Sequence, residues 1–261
     1  MGLRVGADQG NDQLAPLAKG GGWREAPGGL SVIMINISIQ LQWLQADQLW
    51  KPGNTIAWGH IVKFTWPWEV LPCIGEIIKE LGNSLDAGDF DALPNNVWVH
   101  KTANVAPSAY IGNNIIIGAG AHVRHCAYIR ENALIGADAV VGNSTELKNV
   151  ILFDGVQVPH FNYVGDSILG FKSHLGAGSI TSNAKADHSL VSVICGDNCI
   201  ETGLKKFGAI LGDQVEVGCN AVLNPGSVVG ADTVIYPLSM VRGFIPAGSI
   251  YKTQGEIVEK R

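Results

Sequence analysis

The chain has 261 residues, a formal net charge of −5, 46% hydrophobic and 16% charged residues, and 33 glycines, enough for one sizeable core or two small domains. An acidic balance without a basic patch argues against nucleic acid and an anionic membrane as partners. Five scattered cysteines, at 73, 126, 195, 199 and 219, read as reduced intracellular thiols; Cys195 and Cys199 lack the second pair a zinc site needs, so no metal is expected.

Residues 1–33 are Gly-rich and patternless, and read as a disordered or spurious extension with Met34 as a candidate natural start. Within them "KGGGW" (Lys19–Trp23) lacks the spacing of a phosphate loop. Pro27–Ala46 carries no charge but contains Asn, Ser and Gln, so it is not of spanning quality, and no basic region precedes it as a signal peptide requires. A cytoplasmic protein is expected. All seven tryptophans fall within the first 98 residues, which places a boundary there. Residues 34–97 are expected to be a helical lead-in or linker, because Pro67–Leu85 has helical spacing of apolar residues and Gly82-Asn83 near its end.

From Val99 the period is six. Aliphatic residues stand at 99, 105, 111, 117, 123, 129, 135, 141 and 147, and four residues after most of them comes a small one, such as Ala103, Ala121, Ala127 or Thr145. The phase slips by one to Leu152, Val158 and Val164, slips again to Leu169 and Leu175, fades after Thr181, and resumes at Leu211 through Val241. A hexapeptide period predicts an all-β fold, a left-handed parallel β-helix over 98–261 with a long loop at 182–210. Each hexapeptide supplies a short strand with its aliphatic inward and a small residue at the corner, and three make a coil. Tryptophan is too large for so narrow an interior.

Residues one coil apart share an outer face at about the 4.8 Å strand spacing. Arg130 and Lys148 each follow an inward aliphatic and are expected to stack; a bound anion would explain two adjacent cations, solvated side chains being the alternative. Asn143, His160 and Ala177 form a neighbouring column, and Tyr163 stands at the next corner. Cations, imidazole and phenol therefore converge on about two coils. Lys205 and Lys206, in the long loop, are either phosphate contacts or solvated charges.

The segments "VGNSTELKN", "VPHFNYVGD", "HLGAGSITSN" and "ETGLKKFGAILGD" resemble the C-terminal β-helix acetyltransferase domain of bifunctional sugar-1-phosphate nucleotidylyltransferase/acetyltransferases, the archaeal-type enzymes most. The resemblance implies acetyl transfer from acetyl-CoA to the amine of glucosamine 1-phosphate or a relative, in UDP-N-acetylglucosamine synthesis, by a homotrimer with sites between subunits. It implies His160 as general base, Arg130 and Lys148 on the sugar phosphate, and Tyr163, His174 and Asn183 on the sugar. Ala177, Cys219 and Lys252 are implied on the acetyl-CoA side. Bacterial members have Asn in place of His174 and Ser in place of Cys219. "PWEVL" resembles the linker after the nucleotidyltransferase domain, and no Gly-rich nucleotide loop is found in this chain.

In that reaction the imidazole accepts the amine proton at neutral pH, and a backbone N–H near Gly176 to Gly178 is expected to meet the oxyanion. Two other readings stand beside it. One is a non-catalytic trimeric scaffold or regulatory partner of a separate nucleotidyltransferase, which a turnover assay separates. The other is a β-helical carbonic anhydrase with three histidines on zinc, for which His122 and His125 stand several coil positions from His160 and His174. In the trimer the helical lead-in before Val99 is expected to cap one end of the stack.

Overall fold

The computed structural model describes residues 41–252 and 255–260; the N-terminal extension, Met34 and Lys19–Trp23 lie outside the described residues. From Val97 the chain winds as a parallel β-helix whose outer surface carries a 12-stranded and a 9-stranded sheet. The register shows the repeat directly. Tyr110 pairs with Tyr128 and Ile129 with Leu147, eighteen residues on. A register shift between Ile129 and Ala133 then shortens the coil by one, and Leu147 pairs with Val164. Inward aliphatics at 129, 135, 141, 147, 152, 158, 164, 169 and 175 are all fully buried.

The small corner residues make a second buried column, Ala127, Thr145, Asn162, Ser179 and Ala221. It turns polar across the three central coils, and again at Ser239, the position one coil after Ala221. Where the period fades, the chain leaves the wall: Ile168 pairs with Ile210 and His174 with Glu216, forty-two residues on. The excursion carries an antiparallel hairpin, Ser192–Cys195 against Asn198–Glu201, with Cys195 buried and Cys199 exposed. Two glycines with left-handed backbone let this hairpin dock. A Cβ at Gly226 would lie 2.6 Å from Ser192 O, and one at Gly243 would lie 2.6 Å from Ile194 O.

The lead-in corrects one expectation in part: its helices cover a side of the stack, while strand Phe90–Leu93 pairs antiparallel with Val97–His100 at the first edge of the 12-stranded sheet. Its helix Ile74–Ser84 packs on the strands Tyr110–Ile117, Tyr128–Ile135 and Glu146–Leu152. Farther along, Trp50 Nε1–H donates to Leu211 O at 2.7 Å, and Asp213 accepts from Lys51 N (2.9 Å) and Phe171 N (2.8 Å). The cause is legible in the strands. On this side the hexapeptide aliphatic is preceded by further apolar residues, as in Ile115–Ile117 and Val150–Leu152. Strand alternation turns Ile116, Leu134, Ile151, Ile168, Ile210 and Val228 outward, yet each is at most 1% exposed. Burial of such a side chain stabilises by about 1.5–3 kcal/mol, so leaving this face bare would cost more than an end cap could return. The tryptophans excluded from the interior serve here as cladding: Trp50 packs on Phe153 and Trp68 on Phe207. Among the described residues no helix is long and apolar enough to cross a membrane.

Candidate active site

Strand Gln157–His160 lies between Val140–Asn143 and His174–Leu175, and Asn143 pairs directly with His160. Gly178 N donates to His160 O at 3.1 Å, and Asn220 N to Ala177 O at 2.9 Å. One outer column therefore runs Asn143, His160, Ala177, Cys219 at strand spacing, with His160 and Cys219 exposed and Ala177 half-buried. The column is headed by His125, whose carbonyl accepts from Asn143 Nδ2 at 3.0 Å. The spacing of the sequence alone sets His125 several coil positions from His160. It shares the column, with Asn143 standing between it and His160.

The direction of His160 is set by the corner that follows it. Phe161 adopts φ 51° and is 62% exposed, while Asn162 is buried. Asn162 Oδ1 accepts from His160 N at 3.1 Å, and Nδ2 donates to Gly176 O (2.9 Å) and Ser179 O (3.1 Å). One side chain thus ties the histidine strand to the coil carrying Ala177. Alanine occupies the same corner at 127 and 221, so Asn162→Ala creates no steric conflict; the loss is polar. His160 N and Ser179 O lose the bond Asn162 gives them, while Gly176 O keeps Ser179 N; a cost of about 1–3 kcal/mol in urea unfolding is expected, with a fall in turnover, whereas a wild-type unfolding curve would remove Asn162 from this role.

Around the corner, strand Tyr163–Leu169 brings together three of the expected residues and one that the sequence reading passed over. Asp166, 5% exposed, accepts from Lys148 Nζ at 3.1 and 3.2 Å, from Asn149 Nδ2 at 3.1 Å and from Asn183 Nδ2 at 2.6 Å. Asn183 Nδ2 also donates to the Tyr163 hydroxyl at 3.1 Å. Burial first, then the carboxylates of Asp166 and Glu146, push the Tyr163 phenol up, so it stays protonated. The glycine of the "YVGD" stretch makes room for this network: a Cβ at Gly165 would lie 2.5 Å from the Tyr163 hydroxyl oxygen and 2.9 Å from Asn183 Nδ2.

Arg130 and Lys148 do share an outer column, as the pairing of Ile129 with Leu147 requires. They are not bare cations. Arg130 meets Glu146 at 3.1 Å and Glu131 at 3.6 Å, and Lys148 meets Asp166 at 3.1 Å. Two cations thus face three carboxylates. His174 stands at the start of its strand, opposite Gln157 and 2.9 Å from Glu216 Oε2, away from Tyr163 and Asn183. Lys252 lies on the His160 face some four strands farther down, paired with Glu256 at 2.8 Å.

Asp166 ends a ladder of side-chain amides. Asn96 donates to Asn114 at 2.9 Å, Asn114 to Asn132 at 3.0 Å, Asn132 to Asn149 at 3.5 Å, and Asn149 to Asp166 at 3.1 Å. Each rung has a left-handed backbone, φ 47–56°, which Asn and Asp tolerate best. The signal was in the sequence as Asn or Asp recurring at 114, 132, 149 and 166, in step with the coil and its one-residue slip.

The family description "GMPPB C-terminal domain" matches residues 119–234. Among curated proteins, the bifunctional protein GlmU of Methanococcus maripaludis (strain DSM 14266) is 34% identical over 200 residues, 75% of this chain and 48% of that protein. GlmU of Methanococcus vannielii is 36% identical over 122 residues, 46% of this chain and 29% of that protein. The bifunctional sugar-1-phosphate nucleotidylyltransferase/acetyltransferase of Sulfurisphaera tokodaii is 34% identical over 112 residues, 43% of this chain and 28% of that protein. The chain spans less than half the length of each of these relatives. By its coils and by this similarity, the chain is related to the hexapeptide-repeat acetyltransferase part of the bifunctional sugar-1-phosphate nucleotidylyltransferase/acetyltransferases.

Proposed function

We propose that the protein is an acetyl-CoA-dependent acetyltransferase acting on an amino-sugar 1-phosphate such as glucosamine 1-phosphate. The observation that carries this reading is the column of His160, Ala177 and Cys219, one corner away from the Tyr163–Asn183–Asp166–Lys148 network. Acetyl-CoA would lie along the column, and its carbonyl would meet the Ala177 N–H. Among the described residues that amide has no acceptor, while Gly176 N donates to Val217 O and Gly178 N to His160 O. His160 would take the proton of the attacking amine as the N–C bond forms and the thioester C–S bond breaks, and the coenzyme A thiolate would leave and be protonated. The sugar would rest on Tyr163 and Asn183, with Arg130 and Lys148 beside its phosphate.

In this proposal the active unit is a homotrimer. One side of each stack is clad by the lead-in, which leaves the other sides for contact. Exposed apolar residues on them include Tyr110, Tyr128, Tyr236, Leu238 and Met240. Closed symmetry would bury these without open fibres. The ion pairs of Arg130 and Lys148 favour a second reading, a non-catalytic partner of a nucleotidyltransferase, since both cations are already neutralised. A thiol-release assay with acetyl-CoA and a panel of sugar 1-phosphates decides between them. Release that requires glucosamine 1-phosphate or a close relative is expected; no release above background with any of the panel would leave the scaffold.

A further inference from the structure

A cavity of about 570 Å³ opens where the excursion meets the coils, lined by Ser182, Lys185, Asp187, Ser192, Asn224 and Arg242 among others. Its size is that of a small-molecule pocket. Its walls are fixed by the docking of the hairpin on Gly226 and Gly243, and the inner side of that hairpin, Val191, Val193 and Cys195, is buried. Ser182, Asn224 and Arg242 continue the outer column of Arg130 and Lys148, each following the inward residue of its coil.

The charge in the cavity differs from that higher in the column. Arg130 and Lys148 are matched by carboxylates, but among the described residues neither Lys185 nor Arg242 forms an ion pair. Lys185 Nζ donates to the carbonyl of Leu190 at 2.7 Å, which positions it without neutralising it. The carboxylate lining the cavity, Asp187, is held by Ser189 through its N–H (3.0 Å) and hydroxyl (2.8 Å). Two cations without an ion-pair contact, Lys185 lying within electrostatic reach of Asp187, with hydroxyl and amide groups between them match a phosphate ester or diphosphate bearing further hydroxyls.

We infer that this cavity is a binding subsite for the phosphate of a small phosphorylated ligand, held between Lys185 and Arg242. The inference concerns binding and stands whether or not the chain transfers acetyl groups. Calorimetric titration of the full chain with pyrophosphate, UDP and glucosamine 1-phosphate tests it, without acetyl-CoA, on the parent and on Lys185→Gln and Arg242→Gln. At least one of these probes should bind, more weakly as salt rises. Each substitution should then weaken it by at least about ten-fold, with Arg242→Lys retaining most of the affinity. Response to UDP or pyrophosphate identifies a diphosphate ligand, and response to glucosamine 1-phosphate alone identifies a sugar phosphate. Equal affinity of parent and both Gln variants for all three probes, or no binding by the parent, overturns the subsite. Both residues are partly or fully open to solvent, and unchanged thermal unfolding of the variants keeps a null result meaningful.

Discussion

His160→Ala is expected to lower turnover by about 10²–10⁴-fold while changing stability by less than about 0.5 kcal/mol. The side chain is exposed at the end of its strand, and its fixed geometry comes from backbone bonds that survive the substitution, His160 N to Asn162 Oδ1 and Gly178 N to His160 O. A loss of kcat with KM for the sugar phosphate little changed is the signature of a proton acceptor. Parental turnover in His160→Ala would make the histidine a passenger on the scaffold. Lys148→Ala is the natural companion, but the structure denies it a clean affinity reading. The Lys148 side chain is 16% exposed and the Asp166 side chain 7%, so its removal leaves a buried carboxylate with only Asn149 and Asn183 as partners. Both weaker sugar-phosphate binding and lower stability are expected there.

Trp50→Ala is expected to destabilise the fold by about 3–5 kcal/mol, read as a lower urea midpoint. The indole is 2% exposed, packs on Phe153 with ring centroids 5.2 Å apart, and donates to Leu211 O. Trp50→Phe should recover most of this, because Leu211 O also accepts from Gly170 N and is not left without a donor. A change below about 0.5 kcal/mol in Trp50→Ala would mean that the lead-in is a loosely attached linker and that the apolar side of the stack tolerates water.

The coils could be read from the sequence because each hexapeptide asks for one inward aliphatic and one small corner residue, and that pattern repeats often enough to fix phase. The same arithmetic placed Asn143, His160 and Ala177 in a column, and the register pairs Asn143 with His160. The side position of the lead-in's helices was not legible because period six registers only the inward positions. The outward apolar residues at 116, 134, 151 and 168 repeat with the coil and not with the hexapeptide, and they mark the side that needs covering. Arg130 and Lys148 were recognised as neighbours, but apart from Glu131, which adjoins Arg130, their carboxylates Glu146 and Asp166 come from the next coil, so only register reveals those two. Asp166 and Asn162 lay inside the quoted stretch yet drew no attention, since a polar residue in a corner looks like turn chemistry until its buried partners are seen.

The excursion between Thr181 and Ala209 leaves the wall and rejoins it in the same register. Ile180 pairs with Val222 just as Val222 pairs with Met240. Inside a coil, a single added residue must be absorbed by a bulge, as at Ile129/Ala133. Across the excursion no such rule applies, because departure and return points are neighbouring strands whatever lies between them. The segment is therefore a cassette: its length and sequence can change without rephasing the scaffold. A protein built this way can alter what it recognises at the cavity edge while the column bearing His160 stays in place, so selectivity and chemistry are free to vary on separate parts of one chain.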